Sequence, residues 1–213
     1  VNIRSKMTTL LDLNQDCLNI IFSYLNIYEL IDVEDTCAAF KIVCEDVYAS
    51  KKYHSIKLEL RHLKIEYVPR ILEKLKSLRS FEFSGGYLMK ETIKDDLVEG
   101  ISTHCHKLSR LTINYMQFDK RLFDKLQSCF QNLIFLNLSN CSISDSSTGL
   151  HLDSNNLENL KELKLDGNAS MSGAFFKDIT DLEILDVSHC YGLRYYEFLQ
   201  FLKNCKKRIS LNV

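Results

Sequence analysis

Two short stretches of the sequence combine histidine with cysteine, residue types that bind zinc or perform nucleophilic catalysis. They are His104–Cys105–His106 and His189–Cys190. A zinc site needs four converging ligands, commonly with paired C-x2-4-C or H-x3-5-H spacing, and neither stretch has such a pair. A cysteine nucleophile needs an exposed thiolate beside a histidine, whereas these cysteines occupy fixed positions of a repeat and are expected to be buried. We therefore predict no metal site, no catalytic residues, no cofactor and a chain that is not an enzyme.

A pattern of apolar residues, L-x-x-L-x-L, recurs along most of the chain. Its three apolar places are called the frame positions below. Five copies keep all three, and they begin at Leu78, Leu108, Leu133, Leu160 and Leu182. Degenerate copies begin at Tyr53 and Arg208, and successive copies start 22 to 30 residues apart. The core of each copy predicts a short strand with alternate residues inward, which are buried only when the copies stack.

The segments between these strands must return the chain to the next copy. The sequence predicts helices over 90–105, 118–130 and 193–205, and shorter, irregular returns after the copies at Leu133 and Leu160. Eight places after the frame starts stand Cys141, Asn168 and Cys190, small residues that can donate to turn carbonyls when buried. This pattern resembles the cysteine-containing subtype of leucine-rich repeat. The resemblance implies an α/β solenoid over 51–213, a curved parallel sheet with a helical or irregular outer face.

Residues 10–50 differ from the repeats in charge and in pattern. Residues 10–48 contain eight acidic residues and one basic residue, whereas 49–213 are net positive. Three helices are predicted: one from an N-cap at Asn14 to Leu25, one after a capping box of Asn26 and Glu29, and one over 38–49. The first helix has two apolar stripes. They are Leu18, Ile21, Phe22 and Leu25, and beside them Cys17, Ile20 and Tyr24. So small a bundle needs one apolar face, and we expect the surplus to bind a partner.

This helical segment resembles the F-box. Leu13 stands at the leucine that opens the family pattern, "IIFSYL" (20–25) at its central run and Cys37 at its cysteine. Asn14 stands where proline is usual and Phe40 where tryptophan is usual. We expect Asn14 to cap the helix, with the contact of the proline lost, and Phe40 to remain an aromatic anchor. The resemblance implies docking on a Skp-type adaptor through Leu13, Asn14, Leu18, Ile21, Phe22, Leu25, Leu30, Val33, Cys37 and Phe40.

A three-helix F-box followed by leucine-rich repeats is similar to the substrate receptors of Skp–cullin–F-box ubiquitin ligases. That resemblance implies an adaptor, monomeric within its complex, that reaches cullin and RING subunits through the Skp-type protein. The repeats would hold an unidentified protein substrate for ubiquitination. The alternative is a scaffold whose helical segment only caps the repeats, since terminal repeats need capping. The acidic charge of 10–48 either steers docking or is a solvated face.

The substrate surface of such a protein would be the concave face, built from the third, fifth and seventh places of each copy. Phe135 and Ile184 are its apolar exceptions, about 10 Å apart at the usual strand spacing. With Tyr115 they either anchor a peptide or are scattered surface residues. Mixed charges and the lack of a basic stripe argue against nucleic acid. The predicted substrate-binding residues are Arg110, Thr112, Tyr115, Phe135, Asn137, Glu162, Lys164, Ile184 and Asp186.

Cysteine usage and hydropathy bear on the compartment. Eight cysteines without a CxxC pair fit a reducing environment, and no apolar run approaches the ~20 residues of a membrane span. We expect a cytoplasmic or nuclear protein with no membrane contact. A start at Val1 predicts either a fragment or a true start at Met7, and an end at Val213 inside a strand frame predicts that the chain lacks C-terminal repeats. Its predicted parts are a flexible N-terminus (1–9), the helical domain (10–50) and a repeat domain (51–213) that lacks its last repeats.

Overall fold

A computed structural model describes residues 9–213 of the chain, apart from the side chains of residues 146 and 147. The predicted flexible segment 1–9 therefore lies, except for Thr9, outside the described residues. The chain divides between Tyr53 and His54 into two compact units, one helical and one built on a parallel sheet. It is an α/β protein.

The helical unit contains α1 (Gln15–Phe22), α2 (Ile27–Glu34) and α3 (Ala38–Ala49). The Asn14 side chain accepts a hydrogen bond from the Cys17 N–H at 2.9 Å. Asn26 accepts from the Glu29 N–H while the Glu29 carboxylate accepts from the Asn26 N–H at 2.8 Å. The predicted N-cap and capping box are thus confirmed. The first helix is shorter than predicted because residues 23–26 form the turn into α2.

The second unit alternates strands with return segments. Its strands are β1 (Ser55–Glu59), β2 (Ser80–Ser84), β3 (Arg110–Asn114), β4 (Phe135–Asn137), β5 (Glu162–Lys164), β6 (Ile184–Asp186) and β7 (Ser210–Asn212). Its helices are α4 (Val68–Lys74), α5 (Glu91–His104), α6 (Lys120–Gln127), α7 (Asp145–Thr148) and α8 (Tyr195–Asn204). The strands form one seven-stranded sheet in chain order, and every neighbouring pair is parallel. The long returns are α5, α6 and α8, as predicted, whereas the returns after β4 and β5 consist of α7 and short 3-10 turns.

The frame residues line up across the sheet. One frame position pairs from strand to strand as Ile56, Phe81, Leu111, Leu136, Leu163, Leu185 and Leu211. All frame residues of the five complete copies are buried, so the predicted inward face is confirmed. Behind them, the return segments contribute aromatic rings that pack at an angle or edge to face. Phe123 packs on Phe175 with ring centres 5.5 Å apart, and Phe176 on Phe201 at 5.0 Å.

Buried small polar groups close the turns after the strands. The fully buried Asn168 amide donates to the carbonyls of Leu138 (2.9 Å) and Leu165 (2.6 Å). The Cys141 thiol donates to the carbonyl of Ile113 at 3.1 Å, on the preceding strand. These bonds confirm the role predicted for the eighth place, because they satisfy buried backbone carbonyls. They also tie consecutive repeats together.

Candidate functional site

The inner stripe of α1 forms the core of the helical unit. Leu18 and Phe22 are buried, as is Leu30 on α2. The Phe22 ring meets the edge of the half-buried Phe40 ring, with centres 5.2 Å apart. Leu18, Phe22 and Leu30 are enclosed because a unit of this size needs its largest apolar side chains inside. Their contact with an adaptor stays a prediction.

The other predicted adaptor residues remain at least partly accessible. Asn14 and Ile21 are exposed. The half-buried residues are Leu13, Leu25, Val33, Cys37 and Phe40. Asn14 is occupied as the N-cap of α1, and Phe40 as the ring that covers Phe22. These side chains therefore combine a structural contact with a remaining exposed edge.

The second stripe, together with Ile21 from the edge of the first stripe, is an exposed apolar surface, called the α1 outer face below. It consists of Cys17, Ile20 and Ile21 on α1 and Tyr24 in the turn that follows. Ile20 is 61% exposed and Tyr24 83% exposed. Leu10 and Leu11, just before α1, and Ile42 on α3 are exposed as well. Most of these residues were not assigned to the binding site from the sequence, although the doubled stripe of α1 was the signal that could have found them.

The end of α1 is anchored so that Tyr24 points outward. Lys52 donates to the Ser23 carbonyl at 2.8 Å and also to that of Leu25. The Tyr53 hydroxyl donates to the same Leu25 carbonyl at 3.1 Å, and burial raises the pKa of Tyr53 to about 12. A cation and a hydroxyl thus satisfy carbonyls that a helix end leaves unpaired. These bonds hold the backbone on both sides of Tyr24.

The other candidate surface is the side of the sheet opposite the frame residues, called the polar face below. Register places Arg110, Phe135, Glu162 and Ile184 side by side in one row. Thr112, Asn137, Lys164 and Asp186 form the next row. These eight predicted residues therefore share one surface. Tyr115 lies beyond the end of β3, at the edge of that surface.

Phe135 differs from its predicted place on the open surface. Its side chain is only 7% exposed. The Arg110 guanidinium lies over the ring at 3.9 Å from its centre, and the Lys164 ammonium is 5.8 Å from the same centre. Both contacts are within the range of cation–π attraction. The prediction of Phe135 as an open apolar anchor is thus corrected, because long cationic side chains from both neighbouring strands cover it.

Most charges on the polar face are held by partners on that face. Lys57 pairs with Glu82 at 2.6 Å, and Lys164 with Glu162 at 3.4 Å. Burial opposes ionisation of Asp186, but hydrogen bonds from Ser188 and Asn212 and the nearby Lys164 outweigh it and lower its pKa. The mixed signs seen in the sequence therefore cancel locally instead of forming a charged field.

Aromatic and apolar side chains project from the turns after β2 and β3. Tyr115 has a left-handed backbone, with φ of 56°, and its ring meets the edge of Tyr87 at 5.9 Å. Leu88 beside them is 99% exposed. Tyr87 and Leu88 were missed from the sequence because they follow the strand frame and belong to no periodic pattern.

The histidine–cysteine stretches lack the geometry of a reactive site. Cys105 and Cys190 are buried, and burial raises their thiol pKa values to about 12 and about 11. A nucleophilic cysteine needs the opposite shift. The Cys190 thiol donates to the carbonyl of Leu165 at 3.2 Å. Over residues 9–213, no three His, Cys, Asp or Glu side chains converge as a metal site would require.

No protein-family model matches the chain, and no curated protein matches it. None of the helices within residues 9–213 is long and apolar enough to cross a bilayer.

Proposed function

We propose that this chain is the substrate-recognition subunit of a Skp–cullin–F-box ubiquitin ligase. The helical unit is an F-box that docks on a Skp-type adaptor, which links it to cullin and RING subunits. The sheet unit is a leucine-rich-repeat domain whose polar face binds the protein substrate. The chain transfers no chemical group itself. It brings the substrate to the enzymes of the complex, acting as a monomer in the cytoplasm or nucleus.

The observation that carries this proposal is the α1 outer face. A folded protein rarely leaves several large apolar side chains exposed side by side without a use for them. Ile20 and Tyr24 are 61% and 83% exposed, against 39% for Ile21. Covering a side chain of this size stabilises a complex by about 1.5–3 kcal/mol before the cost of association. A few such residues supply most of the binding energy of a typical protein interface.

The repeat geometry supports the second half of the proposal. Parallel strands in chain order, with identical frame positions stacked and buried, are what leucine-rich repeats require. Among the described residues, Arg110 and Ile184 on the polar face are exposed, and Thr112, Asn137, Glu162, Lys164 and Asp186 are half-buried. A wide exposed sheet face with defined side-chain rows suits recognition of another protein. The residues that would determine which substrate is bound then stand between the frame positions, where they do not have to pack in the core.

Binding to the adaptor provides the test. The chain is co-expressed with a Skp-type adaptor, and the dissociation constant is measured by calorimetry. We expect Tyr24→Ala to weaken binding about tenfold or more, as loss of an aromatic contact commonly does. Tyr195→Ala is the matched control, because Tyr195 is equally exposed but lies on α8. Its affinity should equal that of the wild type.

A charged substitution on the α1 outer face is a more stringent test of the same adaptor contact. Ile20→Asp places a carboxylate in the middle of the α1 outer face, and desolvating it should abolish binding. Ile134→Asp is the control, an exposed isoleucine of the sheet unit. Circular dichroism verifies that both variants are folded. Failure of the folded wild-type chain to bind the adaptor would refute the ligase role and favour the scaffold alternative.

A further inference from the structure

The polar face contains one cation that differs from the others in its surroundings. Lys57 and Lys164 are each neutralised by a glutamate. Arg110 is exposed and, among the described residues, has no carboxylate partner. Its closest described contact is the ring of Phe135, at 3.9 Å. Among the described residues of the polar face, Arg110 is therefore the one cation that no carboxylate neutralises.

Stacking prepares this guanidinium for a ligand. The guanidinium carbon of Arg110 lies 3.9 Å from the centre of the Phe135 ring, and the ring lies between cations from the two neighbouring strands. A stacked guanidinium keeps its N–H groups directed outward in its own plane, where they match the two oxygens of a carboxylate. Little side-chain entropy is left to lose when that carboxylate binds.

An apolar contact point lies on the same row. Ile184 on β6 is 42% exposed and stands three strands from Arg110 in the observed register. At a strand spacing of about 4.8 Å this is about 14 Å, which an extended peptide spans in about four residues. Glu162 lies between them but is occupied by Lys164. An extended peptide that crosses the sheet along this row would contact Arg110 with one residue and Ile184 with the residue four places further along the peptide.

We propose that the polar face binds an extended acidic segment of the substrate protein, with a carboxylate on Arg110 and a large apolar side chain on Ile184 four residues away. The local charge of Arg110 selects a carboxylate at this one position, since Arg110 is the one cation of the two central rows that is left without a carboxylate among the described residues. The inference deepens the proposed function and rests on it only in taking the polar face as the substrate face.

The probes are fluorescein-labelled ten-residue peptide pools with two fixed positions and random uncharged residues elsewhere. One pool fixes Glu and Leu four residues apart, in both orders. The others replace Glu by Gln, Glu by phosphoserine, or Leu by Ser. Fluorescence anisotropy at low salt should show the Glu/Leu pool binding about tenfold tighter than the Gln/Leu pool, as expected for a charged hydrogen-bonded pair. The Glu/Ser pool should bind several-fold more weakly.

Variants assign the preference to its residue. The Arg110→Gln variant should bind the Glu/Leu and Gln/Leu pools equally. The Arg110→Lys variant should keep only part of the preference, because lysine lacks the paired N–H donors and the planar group of arginine. Arg121→Gln is the matched control, an exposed arginine on α6, and should behave as wild type. Equal binding of the two pools by the wild type, or an undiminished preference in Arg110→Gln, would overturn the proposal. A phosphoserine pool that binds far tighter than the Glu pool would overturn the choice of a carboxylate.

The adaptor titration on the same preparations separates this proposal from the proposed function. A chain that binds the adaptor but has no preference among the pools contradicts only the role of Arg110. A chain that prefers the acidic pool but ignores the adaptor contradicts the ligase role and supports the peptide site.

Discussion

Replacing Asn168 by alanine should test the turn network that holds the sheet unit together. Its side-chain oxygen accepts the backbone N–H groups of Cys141 (3.0 Å) and Ile143 (3.1 Å). Its amide nitrogen donates to the carbonyls of Leu138 and Leu165, at 2.9 and 2.6 Å. All of these residues are buried, so water does not reach the four groups directly once the amide is removed.

The magnitude follows from how many of those groups lose their partner. The Leu165 carbonyl keeps a second donor, the thiol of Cys190 at 3.2 Å. For the other three, no second hydrogen bond is found among the described residues. An unsatisfied buried group costs about 1–3 kcal/mol, and rearrangement favours the lower half of that range. We therefore expect Asn168→Ala to lower the free energy of unfolding by about 3–5 kcal/mol, or the Tm by about 6–20 °C for a unit of this size.

Urea denaturation followed by circular dichroism measures this loss. Asn159→Ala is the matched control, because the exposed Asn159 amide donates to a single carbonyl, that of Gln131 at 3.0 Å. The control should change the free energy of unfolding by less than about 0.5 kcal/mol. A loss of less than about 1 kcal/mol in Asn168→Ala would refute the reasoning, since it would mean that the backbone groups find other partners without the amide.

Three further outcomes are expected. Asn26→Ala should destabilise the helical unit by about 1 kcal/mol in urea denaturation, because Asn26 and Glu29 cap each other's backbone. Gly100→Ala should lower the Tm despite the higher helix propensity of alanine, because its Cβ would lie 2.5 Å from a Leu72 methyl carbon; an unchanged or raised Tm would show that the contact relaxes freely. At pH 8 a thiol reagent should modify the exposed Cys17 quickly and spare the buried thiols, as peptide mapping would reveal. Burial raises the thiol pKa of Cys105, Cys129 and Cys141 to about 12. The free energy of unfolding should therefore fall as pH rises from about 9 towards 12, because these thiols lose their protons at a lower pH in the unfolded chain than in the folded one.

The parts of the fold that could be predicted are those fixed by local chemistry or by a repeated pattern. The cap at Asn14 and the capping box at Asn26 depend on residues within one helical turn, so short spacing was enough to find them. The frame positions repeat at regular intervals, and each copy adds evidence for the same strand. For these elements, propensity and burial favour the same structure.

The candidate surfaces were harder to predict because they depend on contacts between distant residues. Both stripes of α1 are apolar, and only packing against α3 decides that Leu18 and Phe22 face inward while Ile20 and Tyr24 face solvent. Phe135 occupies an outward place of its strand, and the reach of Arg110 from the next strand determines that it is covered. Side-chain length and cross-strand register together produce that contact, and neither is visible in a single repeat.

The same repetition separates stability from recognition in the sheet unit. Frame residues and the eighth place are buried and bonded to neighbouring repeats, so a change there disturbs at least two copies. The polar-face residues between them contact mainly one another, and Arg110 is exposed. Arg110→Gln removes a cation from Phe135 but leaves every frame contact intact, so it should change peptide preference with little loss of stability. Asn168→Ala, in the turn after β5, should do the reverse. Finding both effects in one variant would contradict this division, because it would mean that the two faces of the sheet are coupled.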